Sequence, residues 1–534
     1  MTEQLFQDVM SETAARFLQS VVVLDDQVIC RPPAGTVNTS QALPELQKPG
    51  KGSAAKVDDQ IPKPKKESDA NGNGRHTFEL FEVVHGFAAR GVVCGTLNPL
   101  AENDDKVVKD GILKAGRRAD IVILDWQIKG RDKQDDGGEM AMELIDKLVS
   151  ADNETDMARR RLVVIYTGET LGPVVDRFDN KFKPEGFSDP LPAASNGDPC
   201  RQRGGFRVIF LLKHSVGFSE LPQKAIEEFA RMNTGLLGGA ALHGLAAIRE
   251  NTHRILSRFP AELDGAYLAH RAMTAPPQAA ESHIGPLLAS ELEDVLAGAR
   301  LEESLNLDAI KQRLKESGAG NAESIEKTLS EGTDKAPPED ISKNQLKKNP
   351  HKLTEWISGV SPDEAKNTDE RFAALTTLRF PATGEHRMAL GTVVREDDDK
   401  YWLCVTPACD CVRLKKEQHK LFFLRCRSAK DSDKIHFLIP PETDGAEHIP
   451  ITVGFKIEDG HHWEFKPDPV KQMVLAEQSG GGRSSYFLTT ENEKLHWVAE
   501  LKPAHARRIT HHFASEWSRV GVTEAEWLRR CSDL

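Results

Sequence analysis

Four short apolar runs in this chain each end on a residue suited to handling a phosphoryl group. SVVVLDD ends on the acidic pair Asp25 and Asp26, ADIVILD on Asp125, RLVVIYT on Thr167 and FRVIFLLK on Lys213. A carboxylate and a phosphoryl group are both negative, so transfer between them needs a divalent cation to neutralise the charge. Mg2+ takes oxygen ligands, usually one or two carboxylates with phosphate and water, and Asp25 and Asp26 beside Asp125 offer them. A hydroxyl (Thr167) and a compact ammonium (Lys213) are the donors that phosphoryl oxygens require. The chemistry these groups fit is phosphoryl transfer to a carboxylate, in which charge neutralisation does most of the catalytic work.

For these residues to meet, their strands must lie in one sheet and point the same way. In open parallel sheets, ligands sit at the C-terminal edge of the strands. Residues 1–18 read as an amphipathic helix and Ser20–Asp26 as the first strand. Thr77–Arg90 has helical spacing (Phe78, Leu80, Phe81, Val84, Phe87), Gly91–Leu97 is a strand, and Asp105–Arg117 a second helix. The Asp125 strand, a helix around Glu139–Val149, the Thr167 strand, the Lys213 strand and a helix from Pro222 to Met232 follow. This alternation predicts an α/β fold: a doubly wound, five-stranded parallel sheet with helices on both faces.

The polar, Pro- and Gly-rich stretches 31–76 and 171–205 read as flexible insertions in a domain spanning 1–232. Residues 233–300 form a helical segment and 301–374 a charged linker, mostly helical or disordered. From 375 to 534, short apolar runs (MALGTVV, YWLCVTP, LFFLRC, ITVGFKI) alternate with turns, so a β-rich domain, a small barrel, closed by C-terminal helices is expected. With 82 acidic against 70 basic residues the net charge is −12, which argues against a nucleic-acid surface. No apolar run reaches membrane-spanning length, and the start lacks a basic segment followed by an apolar core. The eight cysteines are scattered, as suits a reducing cytoplasm.

The ordered set of strand-end residues resembles the receiver domain of response regulators, the aspartate-phosphorylated module of two-component signalling, over roughly residues 18–232. The resemblance implies Asp125 as phosphoacceptor, with Asp25, Asp26, Asp125 and the backbone carbonyl of Gln127 holding Mg2+. It implies Thr167 as the switch hydroxyl, Lys213 as the phosphate-binding lysine and Phe210 as the switch aromatic. DDGGEMAMELIDKL is similar to the glycine-started helix after the acceptor loop. Lys129 and His214 stand where receivers usually carry prolines. A dehalogenase-type phosphatase needs a second Asp two residues after the nucleophile, where this chain has Gln127.

The implied partner is a sensor histidine kinase. The implied activity is no enzyme beyond Mg2+-dependent self-phosphorylation and slow autodephosphorylation. No output motif is recognisable in the rest of the chain. In this the chain resembles the receiver-only protein of the Detocs-type bacterial antiphage systems, which implies a phosphate buffer beside a receiver-linked effector. A docking scaffold with a receiver fold and a DNA-binding regulator are the alternatives. Cys404, Cys409, Cys411 and Cys426 near His419 form a candidate zinc set, but C-x4-C-x-C is not a usual zinc spacing, and buried thiols on alternate strand faces account for it better. His243, His253 and His270 are candidate phosphohistidines, weighed against ordinary core or surface histidines.

Overall fold

The computed structural model describes residues 3–26, 28–29, 78–97, 105–128, 137–153, 159–190, 193–233, 235–274, 277–316, 322–339, 341–379, 385–397, 400–430, 434–441, 447–478 and 485–517. The insertion at 31–76, Lys129, and the expected helix near Glu524–Cys531 lie outside them. The chain divides into two compact units, Met1–Arg258 with Ala289–Gly318, and Phe259–Leu288 with Ala319–Leu534.

The first unit is built on α1 (Glu3–Phe17), β1 (Ser20–Leu24), α2 (Leu80–Ala88), β2 (Val93–Leu97), α3 (Asp105–Gly116), β3 (Ile121–Leu124), α4 (Glu139–Asn153), β4 (Arg161–Thr167), α5 (Leu171–Phe182), β5 (Cys200–Arg203), β6 (Phe206–Leu212), α6 (Leu221–Arg231) and α7 (Leu236–Ser257). The sheet order is β2-β1-β3-β4-β6-β5, with all neighbours parallel except β5, which runs antiparallel to β6. Alternate residues of each central strand enter different cores. Val22, Leu24, Val122, Leu124, Val163, Ile165 and Phe210 pack against α3, α4 and α5. Val21, Val23, Ile121, Ile123, Leu162, Val164 and Ile209 pack against α1, α2 and α6. Burial on both faces is why these strands read as unbroken apolar runs.

The sheet has six strands rather than the five expected. Within the stretch 171–205, expected as a flexible insertion, the described residues 171–190 and 193–205 are ordered. Leu171–Phe182 is a regular crossover helix burying Val174, Val175, Phe178 and Phe182. The remainder leads into β5, whose Cys200 pairs with Ile209 and Arg203 with Phe206. The extra strand therefore covers the open edge of β6 on its first half, away from Lys213, and removes an unpaired edge. Charged groups fasten it: Arg201 donates to both oxygens of Asp179 at 2.7 Å, and Glu228, fully buried, accepts from Ser195 N at 2.7 Å. A low count of apolar residues hid this order.

Arginines gather at the N-terminal edge of the sheet, and each satisfies helix-end carbonyls. Arg161, fully buried, donates to Asp152 at 2.7 and 2.8 Å and to Ala119 O at 2.8 Å, closing the end of α3. Arg159 donates to Arg118 O at 2.8 Å, and Arg160 to Met232 O at 3.1 Å. Arg249 of α7 donates to Phe17 O at 2.6 Å and to Asp120 at 2.9 and 3.0 Å, with its guanidinium 3.7 Å from the Phe17 ring centroid. Cations at helix C-termini meet both the orphan carbonyls and the negative end of the helix dipole.

In the second unit the charged linker, expected as mostly helical or disordered, forms the helices Ala322–Glu331, Lys343–Lys348, His351–Ser358 and Pro362–Thr377. Local signals outweigh the charge. Ser342 and Gln345 form a capping box, Ser361 accepts from Glu364 N at 3.3 Å with Pro362 opening the helix, and Asp369 accepts from Thr354 at 2.7 Å. The β-rich part is antiparallel as expected. Gly460–Phe465, His419–Ser428, Tyr401–Cys404, Thr392–Arg395, Lys494–Glu500 and Ser485–Leu488 pair in succession, and the Phe465–Thr489 bridge closes them into a barrel. Its interior holds Val394, Cys404, Leu421, Phe423, Trp463, Phe465 and Phe487. The helix Pro503–Trp517 covers a separate core with Ala506, Ile509 and Phe513.

Candidate functional site

The sheet register brings the strand-end residues level. Leu24 pairs with Leu124, so Asp25 stands beside Asp125. Leu124 pairs with Ile165 and Thr167 with Leu212, which places Thr167 and Lys213 on the next two strands at the same edge. Two backbone bonds fix this edge: Asp125 N to Leu24 O at 3.0 Å and Lys213 N to Thr167 O at 2.9 Å.

Lys213 Nζ donates to Asp25 Oδ2 at 2.7 Å and to Asp125 Oδ2 at 2.8 Å, with all three side chains buried. Oxygens of Asp25, Asp26 and Asp125 lie within 4.8 Å of one another, the sole such gathering of three potential ligands among the described residues. Burial pushes the Asp125 carboxyl up to about 7; Lys213 opposes the shift, and Asp25 and Asp26 add to it. Burial works against the Lys213 charge, but Asp125 and Asp25 together outweigh it and hold the ammonium above its ordinary value.

Three carboxylates around one point, all oxygen donors, suit a hard divalent cation. Asp125 Oδ1 is buried and accepts no hydrogen bond from the described residues, so it is available to a cation or an electrophile. The residues present fit Mg2+. Thr167 is fully buried, and its Oγ1 accepts from Glu169 N at 3.1 Å. Phe210 is held inward, its ring 5.3 Å from that of Phe178 and edge-on to it. Gln127, next to Trp126, is half-buried. After Lys213, where receivers carry proline, a turn forms instead: Ser215 N and Val216 N both donate to Leu212 O at 3.0 Å, and His214 is exposed.

Sequence reasoning missed Trp126 and Tyr166. Trp126, buried beside the acceptor, lies against Gly138 at the start of α4. Gly138 has φ +89°, and an added Cβ there would stand 2.2 Å from Trp126 Cε2. Gly138→Ala is therefore expected to cost about 1–3 kcal/mol, through left-handed strain and displacement of the indole. Urea unfolding measures the cost, and loss of near-ultraviolet circular dichroism reports the ring's movement. Tyr166 donates its hydroxyl to Val216 O at 2.6 Å, pinning the loop after Lys213. The glycine start of α4 was legible in DDGGEMAMELIDKL; Trp126 and Tyr166 lay hidden at the ends of apolar runs.

A pH dependence follows from Asp125. Its folded carboxyl holds the proton to higher pH than the unfolded one, so its contribution favours folding at low pH. That contribution is lost as pH rises from about 4 to about 7. Asp125→Asn cannot ionise and is expected to melt above the parent protein at about pH 8 without metal, the gap closing near pH 4. Thermal melts in chelator across this range check it; a gap independent of pH contradicts it.

The cysteine set does not assemble. Cys404 and Cys411 sit in the barrel interior, Cys426 in the other core, and Cys409 is exposed. Cys404 ends the strand Tyr401–Cys404, whereas Cys409 and Cys411 lie in the 3-10 turn Ala408–Cys411, so alternation along one strand does not account for the spacing. Of the histidines, His243 Nδ1 lies 3.0 Å from Ser304 Oγ, His253 is exposed, and His270 contacts His283.

Residues 17–217 match the family model described as a response receiver domain. No curated protein and no solved structure matches the chain. Among the described residues, no helix is long and apolar enough to cross a membrane.

Proposed function

We propose that the receiver domain of residues 17–217 accepts a phosphoryl group on Asp125 from a phosphohistidine of a partner histidine kinase. The observation that carries this reading is the buried ammonium of Lys213 bridging Asp25 and Asp125 at the sheet edge. An Asp125 oxygen attacks phosphorus, the P–N bond breaks, and its electron pair goes to the donor imidazole, which takes a proton from solvent. Asp25, Asp26, Asp125 and the Gln127 carbonyl would hold Mg2+, which supplies the charge that lets two anions approach. Lys213 stays as a counter-charge to the new phosphoryl oxygens, and Thr167, released from Glu169 N, offers its hydroxyl to another. The chain is a signalling protein with no turnover beyond its own phosphorylation and slow dephosphorylation. Incubation with acetyl phosphate and Mg2+, resolved on a phosphate-affinity gel, tests this. A retarded band that chelator abolishes is expected; no band at any Mg2+ concentration leaves only a docking scaffold.

The narrower reading is a cytoplasmic phosphate buffer in a Detocs-type antiphage system, drawing phosphoryl groups from the kinase before they reach a receiver-linked effector. It rests on the resemblance to such receiver proteins and on the lack of a recognisable output motif in the sequence after residue 232. In a reconstitution with kinase and effector, excess chain is expected to lower effector phosphorylation, whereas Asp125→Asn leaves it unchanged.

A further inference from the structure

We propose that Tyr166 is a positioning residue for phosphoryl transfer: its hydroxyl holds the loop that follows Lys213 and so fixes where the Lys213 ammonium stands against Asp125. The proposal rests on the phosphoacceptor reading of Asp125. Tyr166 immediately precedes Thr167 on β4 and is buried in the core beneath α1, α2 and α6. Lys213 immediately follows β6, the neighbouring strand. The Tyr166 hydroxyl reaches across to that chain and donates to Val216 O at 2.6 Å, a contact between residues 50 apart in sequence.

The loop between β6 and α6 is largely open to solvent. His214, Ser215 and Gly217 are exposed, and Val216 and Phe218 only half-buried. Its backbone bonds are local: Ser215 N and Val216 N donate to Leu212 O at 3.0 Å, and Leu221 N donates to Gly217 O at 2.9 Å where α6 starts. Tyr166 adds two contacts from another strand, the hydroxyl on Val216 O and the ring edge-on to Phe218, with centroids 5.9 Å apart. Burial, with the Asp25 charge adding to it, holds the phenol above its ordinary range, so the hydroxyl keeps its proton and stays a donor.

The consequence falls on Lys213. Its Nζ meets Asp25 at 2.7 Å and Asp125 at 2.8 Å together, which ties the ammonium to one place relative to two strands. Tyr166→Phe keeps the ring and deletes only the bond to Val216 O, so the chain at Lys213 gains freedom. A misplacement of about 1 Å can lower a rate by about 10²-fold. The flexible stem of lysine absorbs part of such a shift, so a fall of about 10-fold is expected.

Two measurements on the full chain test the proposal. Phosphorylation by acetyl phosphate and Mg2+ is timed for the parent, Tyr166→Phe, Lys213→Ala and the double variant. Tyr166→Phe is expected to lower the saturating rate about 10-fold in the parent and to have no further effect beside Lys213→Ala, because a residue acting through another is not additive with it. The Mg2+ concentration giving half the maximal rate should not change, since the three carboxylates are intact. In the unphosphorylated proteins, amide exchange read by mass spectrometry should rise over residues 214–217 in Tyr166→Phe, while the central strands keep the parent's protection. A parent-like rate in Tyr166→Phe, an equal fall in both backgrounds, or unchanged exchange at 214–217 overturns the proposal. A parent that takes no phosphoryl group overturns the phosphoacceptor reading instead, and the exchange measurement then decides by itself whether Tyr166 holds the loop.

Discussion

Asp125→Asn is expected to take no phosphoryl group from acetyl phosphate or from a kinase, leaving no retarded band on a phosphate-affinity gel. The amide keeps the shape and can still accept from Lys213, but it is not a nucleophile of comparable strength. It also removes one of the three carboxylates gathered within 4.8 Å. Lys213→Ala separates chemistry from mere presence of the acid. It retains Asp125 but deletes the ammonium that touches both Asp25 and Asp125. Removing one preorganised charge from such a site typically lowers the rate by about 10²–10³, so slow, Mg2+-dependent phosphorylation should survive in time courses of the gel. Equal rates for Lys213→Ala and the parent would remove the lysine from the account.

The second large effect is on stability and lies at the opposite edge of the sheet. Arg161 is fully buried, and its guanidinium holds Asp152 and the carbonyls that end α3. Arg161→Met leaves Asp152 as a buried charge without its counter-ion, and is expected to cost about 3–5 kcal/mol in urea unfolding. Adding Asp152→Leu removes that charge and should return part of the loss. If the double variant is no more stable than the single, the ion pair is not what Arg161 contributes. Acetyl phosphate labelling of the surviving folded fraction should be intact, because the phosphoacceptor edge is not touched.

These two edges also differ in how well the sequence announced them. Val21–Leu24 and Ile121–Leu124 are buried on both faces, so each reads as an apolar run broken abruptly by Asp25 or Asp125. The break marks the strand end, and with it the site. Arg161 and Arg249 carry no such marker, since an arginine that caps a distant helix looks the same in sequence as one in solvent. The helix Leu171–Phe182 and strand Cys200–Arg203 were hidden for another reason. Their surroundings are polar and Pro-rich, and their order comes from pairing with β6 and from ion pairs such as Arg201–Asp179. The charge of 301–374 left helix and disorder both open, and for Pro362–Thr377 the helix start given by Ser361 and Pro362 decides for helix. The cysteine spacing was expected to be strand alternation, but Cys409 and Cys411 lie in the 3-10 turn Ala408–Cys411, and Cys404 and Cys426 stand on different strands facing different cores.

The central claim is that one carboxylate, Asp125, receives the phosphoryl group. An acyl phosphate is reduced by borohydride to an alcohol, so the modified aspartate becomes homoserine and can be found by peptide mass spectrometry. After phosphorylation with Mg2+ and acetyl phosphate, the account predicts homoserine at position 125 and at neither Asp25 nor Asp26. Homoserine at another position, or none from a chain shown to be folded, would contradict it.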